Sequence, residues 1–455
     1  MCAMGGRVAF SVSARHVRPG QRLSWRPVLD GAQRRDAVVV ALDVADRITE
    51  PSRLATAVAR YNELARERGV APWQPHAIAH GDAGLAVMCG YLDSCFPGAG
   101  WDRRGHEFLA SAAHAIEQPP AVPPSLFGGM AGVAFACLTL SRGGTRYQRL
   151  RATLDEALVP MARHLVRVLD GEAPAGRGSA FDVISGASGV AAYLLEDDAH
   201  GLLPDLLRGL VALAEPAEVP RWASLPGPSH DGWLAREYPE GYLDCGLAHG
   251  APGVLALLAI ALSRGIEVDG QAEAVRRLAS SMLGYATSDA YGVAWPQALP
   301  LGGAVPSAVP AGPNAWCYGC PGVARALQLA GAALGDTGLR DAAAAAVQAI
   351  LRRLNADGHP ADSPAFCHGL AGVLQVVLRF VHDAGPTTHA EATASTLTDW
   401  LLAEFSPDRL LGYGPLSGQD VEDPGLLDGA AGVVMTLLAA ATGTEPAWDR
   451  MFLLS

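Results

Sequence analysis

The chain has 455 residues, of which 50% are hydrophobic and 18% charged; this composition allows a large core and argues against disorder. Its formal charge of −12 and pI near 5.5 disfavour nucleic acid as a partner, because phosphate binding needs a basic surface. No apolar run reaches the roughly 18 residues of a membrane span, and the first residues lack a signal-peptide core. We therefore expect a cytoplasmic protein with no integral membrane segment, whose eight cysteines are reduced.

Residues 1–35 are predicted to form a poorly ordered N-terminal extension, and residues 36–455 a single domain. Within that domain one pattern recurs seven times: two glycines three positions apart (GxxG), followed by an apolar run. The intervals between copies are 48 to 69 residues, which leaves room for two helices each. The second glycines stand at positions 84, 132, 189, 253, 322, 372 and 432.

The run after each GxxG is apolar on nearly all sides, which is typical of a helix buried in a core. The helices between these runs are amphipathic, as in residues 339–358, where apolar residues recur at helical spacing. Inner helices this apolar do not suit the solvated concave face of an open solenoid. The sequence therefore predicts an all-α fold, a closed seven-fold α/α toroid with the GxxG turns at one end, where free N–H groups make a mildly electropositive mouth.

Residues capable of chemistry concentrate at four successive turns. They are Asp182 in FDVISGASG, His249 in GLAHGAPG, Cys317, Tyr318 and Cys320 in AWCYGCPG, and Cys367 and His368 in FCHGLAG. Because neighbouring repeats are neighbours in space, Cys317, Cys367 and His368 are expected to converge. Two thiolates and an imidazole are good zinc ligands, and the fourth position is either closed by Cys320 in a structural site or left open in a catalytic one.

These motifs, together with LLDGAAG at 426–432, resemble those of the lanthionine synthetase C family, the LanC-type lanthipeptide cyclases, over about residues 36–455. The resemblance implies a seven-fold α/α toroid. It also implies one zinc ion bound by Cys317, Cys367 and His368, with water or a substrate thiol as fourth ligand. Cys320 does not match a ligand of the family.

The reaction implied by the resemblance begins with a separate dehydratase, which converts Ser and Thr of a precursor peptide to dehydroalanine or dehydrobutyrine. The cyclase then adds a peptide cysteine thiol to the alkene and forms a lanthionine or methyllanthionine thioether. His249 is expected to serve as acid or base, Asp182 to orient it, and Tyr318 to donate a hydrogen bond. The resemblance fails at Pro313, where family members often carry an arginine; Arg236 is the substitute that we suggest.

Simpler explanations exist for each residue. The cysteines can be buried thiols, Asp182 can cap a helix, His249 can be bonded to loop backbone, and Tyr318 can merely pack. His80 is expected to line the mouth without binding metal. The remaining cysteines are expected to be structural; they are Cys2, Cys89, Cys95, Cys137 and Cys245.

Three other functions remain open. The first is zinc-dependent addition of another thiol, such as glutathione, to an activated alkene. The second is a catalytically impaired relative that only binds peptides. The third, a toroidal glycosidase or terpene cyclase, needs paired acids or an Asp-rich motif at the mouth. Two long loops, Pro220–Gly241 and Tyr291–Asn314, are candidates for peptide contacts.

Overall fold

Two sets of seven helices make up most of the fold. The computed structural model describes residues 24–172, 180–226, 233–301, 312–356, 363–384, 388–414 and 421–455. The inner helices, each beginning at a GxxG turn, are Asp82–Cys95, Met130–Thr139, Ala187–Leu194, Ala251–Ser263, Cys320–Leu334, Leu370–Ala384 and Ala430–Ala441. The outer helices are Gly31–Thr49, Trp101–Ile116, Gln148–Leu169, Leu203–Leu213, Gln271–Gly284, Thr337–Ala356 and Thr388–Glu404.

The difference between inner and outer helices follows from their sequences. In the inner helix Ala251–Ser263, every residue from Ala251 to Ala261 is buried. In the outer helix Gln271–Gly284, buried residues recur on one face, among them Val275 and Leu278. The inner helices therefore lie between the outer layer and the centre of the ring, as the apolar pattern predicted.

Backbone hydrogen bonds link each glycine turn to the next around the ring. In six of the seven links the donor is the residue five positions before the second glycine, and in the remaining one it is Val183. Cys317 N donates to Cys367 O (3.4 Å), and Cys367 N donates to Leu427 O (2.8 Å). The ring closes where Leu427 N donates to Ala79 O (3.2 Å). The remaining links involve Ala79, Phe127, Val183, Ile184 and Ala248.

These links confirm the predicted closed toroid. They also place the next residue of each turn at the same end of the ring. Those residues are His80, Gly128, Ser185, His249, Tyr318, His368 and Asp428.

Close backbone approach explains the second glycine of each turn. A Cβ on Gly372 would lie 2.0 Å from the carbonyl oxygen of Phe366, and one on Gly322 would lie 2.3 Å from that of Trp316. At the first glycine of one turn, glycine is required because of the backbone conformation: Gly319 has φ +87°, which favours glycine.

The Gly372→Ala variant is expected to lower the free energy of unfolding by about 1–3 kcal/mol or more, because the new methyl group must displace the backbone of Phe366. Urea denaturation of both proteins measures the change. Gly284→Ala is the matched control, since a Cβ there meets no atom within 4 Å. An unchanged midpoint for Gly372→Ala would contradict the close-approach explanation.

The packed part of the chain begins earlier than predicted. The outer helix Gly31–Thr49 contains the boundary that was expected at residue 36. Trp25 is buried, and its indole nitrogen donates to Ala439 O (2.9 Å). Residues 24–35 therefore belong to the domain, whereas residues 1–23 lie outside the described ranges.

In the described ranges, short strands, two further α-helices and one 3-10 helix lie outside the two sets of seven helices. Tyr242–Asp244 pairs antiparallel with Ala298–Pro300, with Asp244 opposite Ala298. Thr287–Asp289 pairs antiparallel with Gly292–Ala294. The other elements are the helices Pro51–Arg68 and Trp233–Glu237 and the 3-10 helix Ala447–Phe452. Among the described helices, none combines the length and the apolar character that a bilayer crossing requires.

The cysteines expected to be structural are packing residues where the structure describes them. Cys89, Cys137 and Cys245 are buried and Cys95 is partly buried, all as free thiols. Burial raises the pKa of each of these thiols. Cys2 lies outside the described residues.

Candidate metal centre

Two adjacent turns bring three candidate ligands together. One ligand atom from each of Cys317, Cys367 and His368 lies within 4.8 Å of the others. Cys367 Sγ is 4.0 Å from His368 Nε2. Both cysteines are buried, whereas the His368 side chain is 47% exposed. The cluster therefore combines a buried sulfur pair with an accessible imidazole.

The donor set fits zinc. Two thiols and one imidazole nitrogen are common zinc donors, and three protein ligands leave one tetrahedral position for a substrate. His368 Nδ1 lies 3.1 Å from Asp428 Oδ1, so Nε2 is the nitrogen that faces Cys367. A carboxylate behind a histidine ligand is the usual arrangement at zinc sites, because it fixes the tautomer and the ring orientation.

The three groups perturb one another. The hydrogen bond from the Cys367 thiol lowers the pKa of Cys317 to about 6 against the effect of burial, and His368 acts in the same direction. Burial raises the pKa of Cys367. The hydrogen bond to Asp428, followed by that to Cys317, raises the pKa of His368 to about 10. Binding a metal ion here would therefore release protons, because ligating thiols and imidazoles must be deprotonated.

Cys320 faces away from this cluster. Its Sγ donates to Val293 O (3.3 Å), and Arg353 donates to Cys320 Sγ (3.2 Å). Arg353 also pairs with Asp289 at 2.7 Å, so Cys320 lies against the Thr287–Ala294 hairpin. Burial raises the pKa of this thiol. The two cysteines of the CxxC therefore have different surroundings.

A histidine–carboxylate pair lies on the turn before Cys317. His249 Nδ1 is 2.7 Å from Asp182 Oδ2, and Asp182 Oδ1 accepts from the backbone nitrogens of Ser185 (2.6 Å) and Gly186 (2.8 Å). Asp182 thus caps its turn and also holds His249. Burial disfavours the charged imidazole, but the hydrogen bond and charge of Asp182, with the charge of Asp244, raise the pKa of His249 to about 9. His249 is therefore protonated at neutral pH and is 42% exposed.

Tyr318 is held by a carboxylate that the sequence analysis did not single out. Its hydroxyl donates to Asp244 Oδ2 (3.0 Å), and Asp244 Oδ1 accepts from Gly246 N (2.8 Å). Burial raises the pKa of Asp244 to about 6. Burial and the charge of Asp244 together raise the pKa of Tyr318. The Tyr318 ring lies 6.4 Å from that of His249. The hydroxyl hydrogen of Tyr318 is thus already committed to Asp244.

The two long loops meet beside Asp244. The strand Tyr242–Asp244 directly follows the loop Pro220–Gly241. Its partner strand, Ala298–Pro300, lies within the loop Tyr291–Asn314. Residues 227–232 and 302–311 of these loops lie outside the described ranges, so their contact with a peptide stays a prediction. Arg236 is exposed on the helix Trp233–Glu237.

The comparisons with known proteins agree with the fold. The family model "Lanthionine synthetase C-like protein" matches residues 72–453. Nisin biosynthesis protein NisC of Lactococcus lactis subsp. lactis is 25% identical over 335 residues, 69% of this chain and 73% of that protein. A solved structure of nisin cyclase aligns with a TM-score of 0.69 at 20% identity, over 88% of this chain and 97% of that one. The family match spans most of the sequence, so the chain belongs to the lanthionine synthetase C-like family.

Proposed function

We propose that the protein is a zinc-dependent lanthipeptide cyclase, which adds cysteine thiols of a dehydrated precursor peptide to dehydroalanine or dehydrobutyrine. The observation that carries the proposal is the convergence of Cys317, Cys367 and His368 next to the His249–Asp182 pair. Family membership and the similarity to NisC and nisin cyclase support it.

Cys317 Sγ, Cys367 Sγ and His368 Nε2 would hold the zinc ion. When bound, zinc would lower the pKa of a thiol in the fourth position, so that a peptide cysteine there would be a thiolate at neutral pH. The two protein thiolates would balance the charge of the zinc ion, so that the centre with the peptide thiolate added would be negatively charged and the peptide sulfur would stay electron-rich. Coordination through Nε2 would keep His368 as a neutral imidazole, and Asp428, which accepts from its Nδ1–H, would fix the orientation of the ring.

The remaining chemistry is carbon–sulfur bond formation followed by a proton transfer. The new carbon–sulfur bond forms as the alkene π bond breaks, and the electron pair moves onto the neighbouring carbonyl as an enolate. Protonated His249 donates to the α-carbon of this enolate from Nε2, because Nδ1 is held by Asp182. The proton lost by the peptide thiol balances the one that is gained at carbon, and the peptide mass does not change.

A dehydrated peptide with free cysteines tests the proposal. After incubation with zinc-loaded protein, one alkylatable thiol should disappear per ring at unchanged peptide mass. The matched control is the same peptide with serine in place of each dehydroalanine, which should keep all its thiols. Unreacted thiols in the dehydrated peptide, with zinc present, would contradict cyclisation.

The alternatives predict other products. Added glutathione would raise the peptide mass by one glutathione per alkene if the protein served a small thiol. A catalytically impaired relative would bind the peptide and leave it unchanged. This alternative rests on Pro313, which stands where family members often carry an arginine. The glycosidase alternative is less favoured, since Asp182, Asp244 and Asp428 are bonded to His249, Tyr318 and His368 rather than paired with one another. A separate dehydratase and a cytoplasmic location stay predictions.

Asp182→Asn is expected to move the alkaline limb of the pH–activity profile down by about two pH units. Burial lowers the pKa of His249, and the hydrogen bond and charge of Asp182 contribute most to raising it from 6.5 to about 9. The substitution removes that charge and weakens that bond, so His249 loses its proton at lower pH. A kcat–pH profile measures the limb. Asp155→Asn, which removes a buried carboxylate bonded to Tyr193, should leave it in place; an unmoved limb in Asp182→Asn would exclude His249 as the titrating acid.

A further inference from the structure

One carboxylate serves two histidines at the mouth of the ring. Asp428 Oδ1 lies 3.1 Å from His368 Nδ1, and Asp428 Oδ2 lies 3.3 Å from His80 Nε2. The Asp428 side chain is only 18% exposed. The three residues come from the sixth, seventh and first turns, which the backbone ring joins in that order. Asp428 is therefore fixed from both sides by side chains of neighbouring turns.

His80 lies between two carboxylates. Its Nδ1 lies 2.9 Å from Asp423 Oδ2, and Asp423 Oδ1 accepts from Gly425 N (2.6 Å). The ring of Tyr61 stacks on His80, with centroids 5.1 Å apart and planes 24° apart. Both nitrogens of His80 thus face carboxylates, which disfavours their use as metal ligands. His80 also lies outside the group of candidate ligands.

We propose that Asp428 and His80 are positioning residues for the metal centre: His80 fixes the Asp428 carboxylate, and Asp428 fixes the His368 ring with Nε2 towards Cys317 and Cys367. This inference rests on the proposed zinc site. Its physical basis is that a ligand held in the metal-bound orientation before binding loses less rotational freedom when the metal arrives. His80 acts on the metal only through Asp428.

Measuring the zinc affinity tests this relay, the chain of contacts from His80 through Asp428 to His368, directly and without a peptide. Competition of the full-length protein with a chromophoric chelator at fixed pH gives the dissociation constant. Asp428→Ala should weaken zinc binding about 10- to 100-fold. Asp428→Asn should recover part of the loss, because its amide oxygen can still accept from His368 Nδ1–H. His80→Ala should weaken zinc binding about threefold or more. His80→Gln should weaken it less, because the glutamine amide can still donate to Asp428.

A double-mutant cycle separates a relay from independent effects. If His80 acts through Asp428, His80→Ala should cost no further zinc affinity in the Asp428→Ala background. Equal losses in both backgrounds would overturn the relay, as would wild-type affinity in Asp428→Ala. Circular dichroism confirms that each variant is folded.

Asp155→Asn is the matched control, since it removes a buried carboxylate bonded to Tyr193 and should leave zinc affinity unchanged. A weakening as large as that in Asp428→Ala would mean that general destabilisation causes the loss. Failure of the wild-type protein to bind zinc would overturn the proposed function itself. Failure confined to the Asp428 and His80 predictions would overturn only the relay.

Discussion

Replacing Cys317 with alanine is expected to abolish zinc binding and ring formation. Cys367 and His368 alone leave a two-ligand site, whereas zinc sites in proteins use at least three protein ligands. Removal of a residue that only supports a metal ligand weakens metal binding about 10- to 100-fold, and the loss of zinc affinity in Cys317→Ala should be larger than that. Metal analysis after dialysis measures the zinc, and the disappearance of alkylatable thiols in a dehydrated peptide measures the reaction.

Cys320→Ala is the matched control for this prediction. It removes a cysteine from the same turn, but one whose Sγ contacts Val293 O and Arg353 rather than the cluster. The variant should keep one zinc ion per chain and its activity. Loss of zinc from Cys320→Ala as well would indicate a closed, four-ligand structural site and would contradict an open, thiol-activating one.

His249→Gln is expected to lower kcat about 10²- to 10⁴-fold, the contribution typical of a positioned acid or base. Glutamine is neutral at all pH values and cannot deliver the proton that the enolate needs. Zinc content should be unchanged, because His249 lies outside the group of candidate ligands. Single-turnover kinetics with a dehydrated peptide measure the effect.

His106→Gln is the control for the loss of a histidine. His106 stacks on Tyr147 from the outer helix Trp101–Ile116, so its replacement should leave kcat unchanged. A normal kcat in His249→Gln would mean that another group, or water, protonates the enolate. Tyr318→Phe would then be the next variant, since Tyr318 is the neighbouring aromatic group at the mouth.

The fold could be predicted from the sequence because its signal is repeated. A glycine is needed wherever the inner helix passes within van der Waals contact of a preceding carbonyl, as at Gly372 and Phe366. That requirement recurs in every turn, so a pattern too weak to interpret alone becomes specific. The three candidate ligands could be predicted for a related reason: Cys317 and Cys367 occupy equivalent positions of adjacent turns.

The supporting carboxylates could not be predicted as readily. An aspartate in a loop often only caps a helix or a turn, and its other partners are distant in sequence. Asp244 is 74 residues from Tyr318, and Asp428 is 60 residues from His368. A signal did exist for Asp428, which occupies the same position in its turn as His249 and His368. Aligning the turns by their glycines would have found it.

The N-terminal boundary was predicted too late for a similar reason. Residues 24–30 carry no helical periodicity, so the sequence offers little reason to place them in the core. Trp25 is nevertheless buried by stacking on His382, with ring centroids 3.6 Å apart, and by its bond to Ala439. Contacts that join the two ends of a closed ring have no local signature in the sequence.

X-ray absorption at the zinc edge can decide whether the metal site is open to a substrate thiol. For the zinc-loaded protein we expect two sulfur ligands at about 2.3 Å and two lighter ligands, from Cys317, Cys367, His368 and an exchangeable oxygen. Addition of a cysteine-containing peptide should raise the number of sulfur ligands to three. Three sulfurs before the peptide is added, or two sulfurs that do not change afterwards, would contradict an open site that binds the substrate thiol.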